Sequence, residues 1–292
     1  MRVLVTGASG HIASAVVPEL VQAGHQVLGL ARSENSATAV KELGAEAVRG
    51  DLTDLGGLRE AASGVDGVIH LAFDHELVRA QDFGTAASRD LAAVRAFGEA
   101  LEGTGKVFMG VGMDIPDNPA ERAAWEGFPR FAATLELAGL AERGVRAVRV
   151  AVPQVVHSNR DRHGFVPTLI RIARATGISA YVGEGANRWP AVHTLDLGRL
   201  YRLGLENAPA GAVLHGSSDD GVAVREIAEN IARHLGIPAK SSSAEEAGTH
   251  FADFPFVTMD NPMPSADTRE LLGWEPVHPR LIEDLDEGHY FA

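Results

Sequence analysis

An α/β protein built on a doubly wound parallel sheet is what the sequence predicts, and three observations carry that expectation. The chain opens on a short apolar run, Val3-Leu4-Val5, which ends in a glycine turn, Gly7-Ala8-Ser9-Gly10. The turn passes into a stretch where Ile12, Val16 and Leu20 recur at four-residue spacing with Val17 and Val21 beside them, the mark of one buried helical face. Strand-like and helix-like patterns then alternate regularly through the first half, which builds right-handed βαβ units.

Strands are expected at 2–6, 26–31, 45–49, 66–72, 105–111 and 145–152, and helices near 11–23, 35–43, 54–63, 84–102 and 129–143. Val68-Ile69-His70-Leu71-Ala72 is nearly continuous in apolar character, as a strand covered on both faces requires. Gly24, Gly44 and Gly144 each follow a helical pattern where a left-handed cap is expected. Pro18 removes one backbone hydrogen bond from the first helix and is expected to bend it. Beyond about residue 155 the rhythm loosens. A polar loop covers 157–164, the stretches 183–194 and 238–268 are rich in Gly, Pro, Ser and Asn, and helices are expected near 165–176, 195–206 and 222–235. These patterns divide the chain into a nucleotide-binding domain over 1–155 and a smaller substrate lobe over 156–292, with chain exchange between them left open. Ligands bind at the carboxyl edge of open α/β sheets, so the lobe is expected over that edge and the working site in the cleft.

Composition narrows the function classes. The chain has 292 residues, enough for a substantial core, with 45% hydrophobic and 22% charged residues, both ordinary for a soluble globular protein. A net charge of −13 without any basic block argues against a nucleic-acid partner. The absence of cysteine excludes disulfides, thiolate metal sites and a cysteine nucleophile. A core strand at the N-terminus leaves no room for a signal peptide, and no apolar run approaches spanning length, so a cytoplasmic protein without membrane contact is expected. The twelve histidines form no His-Glu-x-x-His helix or compact ligand cluster, and no metal is expected. No Gly-x-Ser-x-Gly elbow supports a serine hydrolase.

The glycine turn carries the chemistry. Strand, glycine turn and helix form the context of a dinucleotide phosphate site, with Thr6, Gly7, Ser9, Gly10, His11 and Ile12 as its residues. Gly7 allows the sharp turn, Gly10 lets the backbone approach the pyrophosphate, and Ala13 permits close helix–strand packing. The helix N-terminus offers N–H groups and partial positive charge to the phosphates. Valine at Gly7 or Gly10 is expected to abolish dinucleotide binding and to leave a folded protein. Arg32 follows the second apolar strand, where an acid would bond ribose hydroxyls; an arginine there suits a 2′-phosphate, so NADP is expected over NAD. The alternative for Arg32 is a solvated loop residue.

In sequence the chain resembles the extended short-chain dehydrogenase/reductase superfamily, in its NAD(P)-dependent epimerase/dehydratase branch. The spacing Thr6-Gly7-Ala8-Ser9-Gly10-His11-Ile12-Ala13 matches that branch. The resemblance implies a Rossmann-type sheet, with Asp51 and Leu52 near adenine, Leu71 and Ala72 flanking the cofactor, and Pro153 near the nicotinamide. Trp189-Pro190-Ala191-Val192-His193 and Leu272-Gly273-Trp274-Glu275-Pro276 resemble landmarks of the substrate lobe. The departure is in the catalytic pair, a tyrosine with a lysine four residues on. The only tyrosines are Tyr181, Tyr201 and Tyr290, the only lysines Lys41, Lys106 and Lys240, and no tyrosine precedes a lysine by four. Counting back along the helix before Gly144 puts Arg130 and Thr134 at those places, and Gly110-Val111-Gly112-Met113-Asp114 lacks the expected serine or threonine.

Proton delivery therefore has to come from elsewhere. Asp114, next to the vacated serine position and flanked by Met113 and Ile115, is expected to be partly buried with a raised pKa. His75 follows the fourth strand, and His157 follows the stretch near the nicotinamide; imidazole is suited to acid–base work at neutral pH. The leading expectation is an NADP-dependent oxidoreductase acting on a small or medium-sized carbonyl substrate through an unconventional proton donor. The alternatives are an epimerase or dehydratase of an activated metabolite and a non-catalytic dinucleotide sensor. The alanine-rich helices near 84–102 and 129–143 are candidates for pairing in a homodimer.

Overall fold

The opening apolar run lies in the interior of a seven-stranded sheet. The computed structural model describes residues 1–128, 130–251 and 254–292. The first position of the helix expected at 129–143, and residues 252–253 of the 238–268 stretch, lie outside them. Strands are β1 (Arg2–Thr6), β2 (Gln26–Ala31), β3 (Glu46–Arg49), β4 (Gly67–His70), β5 (Val107–Val111), β6 (Arg146–Ala151), β7 (Val155–His157), β8 (Ser179–Val182), β9 (Arg188–His193), β10 (Val213–His215), β11 (Asp219–Ala223) and β12 (Ala239–Ser242). Helices are α1 (Ala13–Gln22), α2 (Glu34–Glu42), α3 (Leu55–Ser63), α4 (His75–Arg79), α5 (Phe83–Leu101), α6 (Pro119–Trp125), α7 (Phe131–Gly139), α8 (Phe165–Thr176), α9 (Thr194–Asn207), α10 (Val224–Leu235), α11 (Ala244–His250), α12 (Ala266–Leu272) and α13 (Leu281–Asp286).

Two compact units share the chain. The first comprises Met1–Val152, Leu197–Leu214 and Asp267–Trp274; the second comprises Pro153–Asp196, His215–Ala266 and Glu275–Ala292. In the first, strands run in the order β10-β6-β5-β4-β1-β2-β3. The pairings of β6 with β5, β5 with β4, β4 with β1, β1 with β2 and β2 with β3 are all parallel. This is the Rossmann-type doubly wound sheet, and strand order reverses between β1 and β4, the switch point where open α/β sheets bind ligands. β4 is buried at every position, as a strand with both faces covered must be. One layer packs Leu58, Ala93, Phe97, Leu101 and Leu137 from the helices, with Leu140 just past α7, onto Leu4, Val68 and Phe108 of the strands. Helix α9 approaches α1 closely, for a Cβ on Gly198 would fall 3.0 Å from the Ala15 backbone. Helix α1 continues through Pro18, and Gly24, Gly44 and Gly144 take the expected left-handed conformation.

The second unit holds a three-stranded sheet ordered β11-β9-β7 and a two-stranded sheet of β12 and β8. Its core gathers Trp189, Val166, Ile170, Ile227, Ile231, Phe254, Leu281 and Leu285. Strand β9 occupies half of the 183–194 stretch, and β12 and α11 fall inside 238–268, both expected as irregular.

Candidate active site

Thr6 and His70 stand opposite each other in the register of β1 with β4. Equivalent positions on parallel neighbours point to one side of the sheet, so their side chains meet. Thr6 Oγ1 lies 2.6 Å from His70 Nδ1 and accepts the Ala72 N–H at 3.2 Å. His70 Nε2 lies 3.2 Å from Asp90 Oδ1 on α5, and Arg130 Nε lies 3.4 Å from Asp90 Oδ2. One assignment of protons satisfies every link: Thr6 donates to Nδ1, and the proton on Nε2 is donated to the carboxylate. Asp90 is 3% exposed. Burial alone would raise its carboxyl, but the His70 hydrogen bond and the Arg130 charge outweigh that and hold it below the usual carboxylate range. The Arg130 guanidinium also stacks 4.2 Å from the centre of the Phe73 ring.

This chain starts at the glycine turn. Gly10 N–H closes on the Gly7 carbonyl at 2.8 Å. Gly7 has φ +64°, and a Cβ there would lie 2.8 Å from the Ala72 nitrogen. The Thr6–Gly7 corner is thus pressed against Leu71 and Ala72. Gly10 differs, because among the described residues, its chain neighbours apart, its Cβ would meet only the Gly7 oxygen at 3.1 Å, and Ser9 and Gly10 are exposed. Side chains cap α2, α3, α4 and α5 (Ser33, Asp54, Asp74 and Asp82), whereas none among the described residues caps α1. An exposed glycine turn beside an uncapped helix N-terminus, with His11 and Ile12 half-buried at its start, fits a pyrophosphate.

The remaining sequence candidates fall as follows. Arg32 follows β2 directly and pairs with Glu76, both more than half exposed. Hydrogen bonding and charge from Glu76 keep its guanidinium above the ordinary value, with smaller help from Asp74 and Asp51. Asp51 accepts from the N–H and hydroxyl of Thr53 at 2.8 and 2.7 Å, which holds its carboxyl low, and Leu52 is half-buried beside it. Leu71 and Ala72 follow β4, half-buried. Pro153 is buried and opens the second unit. Asp74 caps α4 and accepts from Arg89 at 2.7 Å, and His75, exposed, packs its ring edge-on to Phe73 at 5.7 Å.

Two expectations need correction. Asp114, on the segment between β5 and α6, is exposed rather than partly buried, while its apolar neighbours Met113 and Ile115 are half-buried. Its charge acts on Arg149, whose Nη1 donates to the Met113 carbonyl at 3.2 Å, so apolar burial does not hold a proton there. His157 has no exposed surface, and its Nδ1 lies 2.8 Å from Asp284 Oδ2 inside the second unit. Near that pair, Asp284, Glu287 and His289 bring three ligand atoms within 4.8 Å of one another, a grouping that sequence spacing did not reveal.

Sequence reasoning passed over His70 and Asp90, although Asp90 falls on the buried stripe of α5 with Ala86, Ala87, Ala93 and Val94. A lone carboxylate on an apolar helical stripe is the signal that would have found it. Thr134, one turn beyond Arg130, accepts the Met113 N–H and donates to the Arg130 carbonyl, both at 3.4 Å. Tyr201 is fully buried with a hydroxyl that finds no partner among the described residues, and burial pushes its pKa up.

The fold and the turn define a dinucleotide-binding α/β protein. A family model described as NAD(P)H-binding matches residues 7–147. An uncharacterized protein of Schizosaccharomyces pombe is 38% identical over 304 residues that span 100% of both chains. A 4-hydroxy-2-methyl-3-oxo-4-farnesyl-3,4-dihydroquinoline-1-oxide ketoreductase of Stigmatella aurantiaca is 28% identical over 271 residues, 87% of this chain and 80% of that protein. Among solved structures, a dTDP-glucose 4,6-dehydratase of Streptomyces venezuelae with NAD bound matches with a TM-score of 0.75 at 18% identity, covering 99% of this chain and 96% of the other. The chain belongs to the extended short-chain dehydrogenase/reductase superfamily, in its NAD-dependent epimerase/dehydratase branch. No helix among the described residues is long and apolar enough to cross a membrane.

Proposed function

We propose that the protein is an NADP-dependent reductase or dehydrogenase of a small or medium-sized carbonyl substrate, working without a catalytic tyrosine. The observation that carries this reading is the buried chain from Thr6 through His70 and Asp90 to Arg130, which ties a fixed cation to the glycine turn. A ketoreductase among the relatives supports carbonyl chemistry. In this reading Gly7, Ser9, Gly10, His11 and Ile12 hold the pyrophosphate while Thr6, fully buried and bonded to His70 and Ala72, fixes the turn from beneath; Asp51 and Leu52 hold the adenine end, and Leu71 and Ala72 the wall beside it. When bound, the dinucleotide supplies a hydride at its nicotinamide. His75, exposed at the start of α4, delivers the proton to the substrate oxygen.

Absorbance at the nicotinamide band, followed with NADPH and a panel of ketones, aldehydes and oxo acids, tests the reading. Steady turnover is expected, with His75→Gln slowing it about 100-fold, as loss of a positioned general acid does. Tight NADPH binding without turnover of any carbonyl overturns the reaction and leaves a dinucleotide sensor.

The cofactor preference rests on Arg32. A surface ion pair such as Arg32–Glu76 contributes about 0–1 kcal/mol, so a 2′-phosphate can displace the carboxylate. The nearby acids Asp74 and Asp51 oppose the phosphate, which keeps the expected preference for NADPH over NADH to about 10-fold. Arg32→Ala should erase that preference, and Glu76→Gln should widen it while leaving NADH affinity unchanged. Calorimetric titration with both cofactors checks this, and equal wild-type affinities overturn it.

A further inference from the structure

Arg130 occupies the place where the family resemblance puts the tyrosine, yet guanidinium stays protonated and cannot cycle a proton. Its strength is different: a planar fork of N–H donors that matches the two oxygens of a carboxylate. The structure fixes that fork on two sides. Nε faces Asp90, and the flat face lies on the Phe73 ring. Asp90 is the one acceptor for this guanidinium among the described residues, and 24% of the side chain remains exposed. Asp90 itself is already served by His70 on its other oxygen, so the guanidinium has donors to spare. An arginine whose plane is set in advance gives up little freedom when it takes an anion.

The surroundings supply the second observation. Phe73 packs on Phe83 at 5.7 Å, Phe83 on Phe128 at 6.0 Å, and Phe128 on Trp125 at 5.8 Å. The three phenylalanines are half-buried and Trp125 is 40% exposed, whereas Trp189 and Trp274 are fully buried. An aromatic wall with accessible edges thus runs up to a fixed cation, all within the first unit.

We propose that Arg130 is the carboxylate-binding residue of the substrate site, and that the substrate is an oxo acid with an aryl or comparably apolar body. The aromatic wall takes the body and the guanidinium fork takes the acid. This rests on the reductase reading for the fate of the carbonyl, but the binding step stands apart from turnover.

Calorimetry of the protein with NADP+ present tests the site, using phenylpyruvate and its neutral counterpart phenylacetone, which lacks the carboxylate. Phenylpyruvate is expected to bind about 10-fold or more tighter, the worth of a charge-assisted bidentate contact. Arg130→Lys keeps a cation beside Asp90 but loses the fork, and should weaken phenylpyruvate about 10-fold with phenylacetone unchanged. Because removing the cation alone would strand the buried Asp90, the double variant Asp90→Asn with Arg130→Met removes both charges, and it should bind the two probes equally. Three outcomes overturn the proposal: no phenylpyruvate binding at millimolar concentration, equal wild-type affinity for both probes, or phenylpyruvate affinity unchanged in both variants. Arg130-dependent binding without NADPH oxidation would sink the reductase reading alone. Turnover of neutral ketones with Arg130-independent binding would sink the carboxylate site alone.

Discussion

Gly10→Val is expected to lose dinucleotide affinity by at least about 100-fold while the protein stays folded, an effect worth roughly 2.7 kcal/mol or more. Among the described residues, and its own chain neighbours apart, the Cβ of the added side chain would meet only the Gly7 oxygen, at 3.1 Å. Its remaining bulk occupies the open side of the turn, where a pyrophosphate has to approach the backbone. Gly7→Val is expected to behave differently. Its Cβ would lie 2.8 Å from the Ala72 nitrogen and 2.9 Å from the Leu71 carbonyl carbon, at φ +64°, where a β-branched residue is strained. That clash pushes β1 away from β4 and breaks the Thr6–His70–Asp90 chain, so Gly7→Val should lower the melting temperature as well as abolish binding. The sequence reading expected both variants to remain folded; the close approach of Ala72 restricts that expectation to Gly10. Near-ultraviolet circular dichroism with NADPH titration separates the two cases. A folded Gly10→Val with wild-type affinity would show that the phosphates lie elsewhere.

The first half of the fold was legible because apolar periodicity decides it. Expected and observed bounds coincide for β1 and β2, and the expected helix at 84–102 is α5 displaced by one residue. Within the second half α8 coincides with its expected bounds at 165–176, since its face of Val166, Leu169, Ile170 and Ala173 follows helical spacing. The strands there gave no such signal. Strand β11 is Asp-Asp-Gly-Val-Ala and β12 is Ala-Lys-Ser-Ser, so pairing with distant partners, not their own pattern, makes them strands. Two missed helices did carry local signals. Asn118 before Pro119 is an N-cap followed by proline at the first helical position, and Ser243 with Glu246 forms a capping box.

The site divides in the same way. The glycine turn is read directly, because its function depends on local backbone geometry. The chain from Thr6 to Arg130 is not local. It needs the register of β1 against β4 to bring Thr6 to His70, and the packing of α5 to bring Asp90 to the other nitrogen of His70. Arg130 was visible as an oddity at the tyrosine position, but its anchoring by Asp90 and Phe73 appears only once those elements are placed.

Acid lability of the second unit is the other large effect expected. His193 Nδ1 accepts the Leu195 N–H at 3.3 Å, and its ring stacks on His278 at 4.8 Å and meets His157 edge-on at 5.5 Å. Burial, followed by the His157 charge, pushes the His193 pKa down to about 4. The unfolded value is 6.5, so the unfolded chain binds more protons between these limits. Stability is therefore whole above about pH 6.5 and falls as the pH drops toward 4. Asp284 and Asp196 face the same cluster, bonded to His157 and His278 at 2.8 Å each. Asp161, whose carboxyl burial raises, titrates in the opposite sense and reduces the net loss. Thermal melts at stepped pH should show the decline in the wild type and a flatter profile in His193→Gln. Asp284→Ala should cost more still at neutral pH, because it strips the acceptor from a fully buried His157. Breaking a buried pair in that way costs about 3–5 kcal/mol, whereas Asp284→Asn keeps an acceptor and should cost less. A wild-type melting temperature flat between pH 6.5 and 4, or an Asp284→Ala variant as stable as the wild type, would remove the cluster from the stability of this unit.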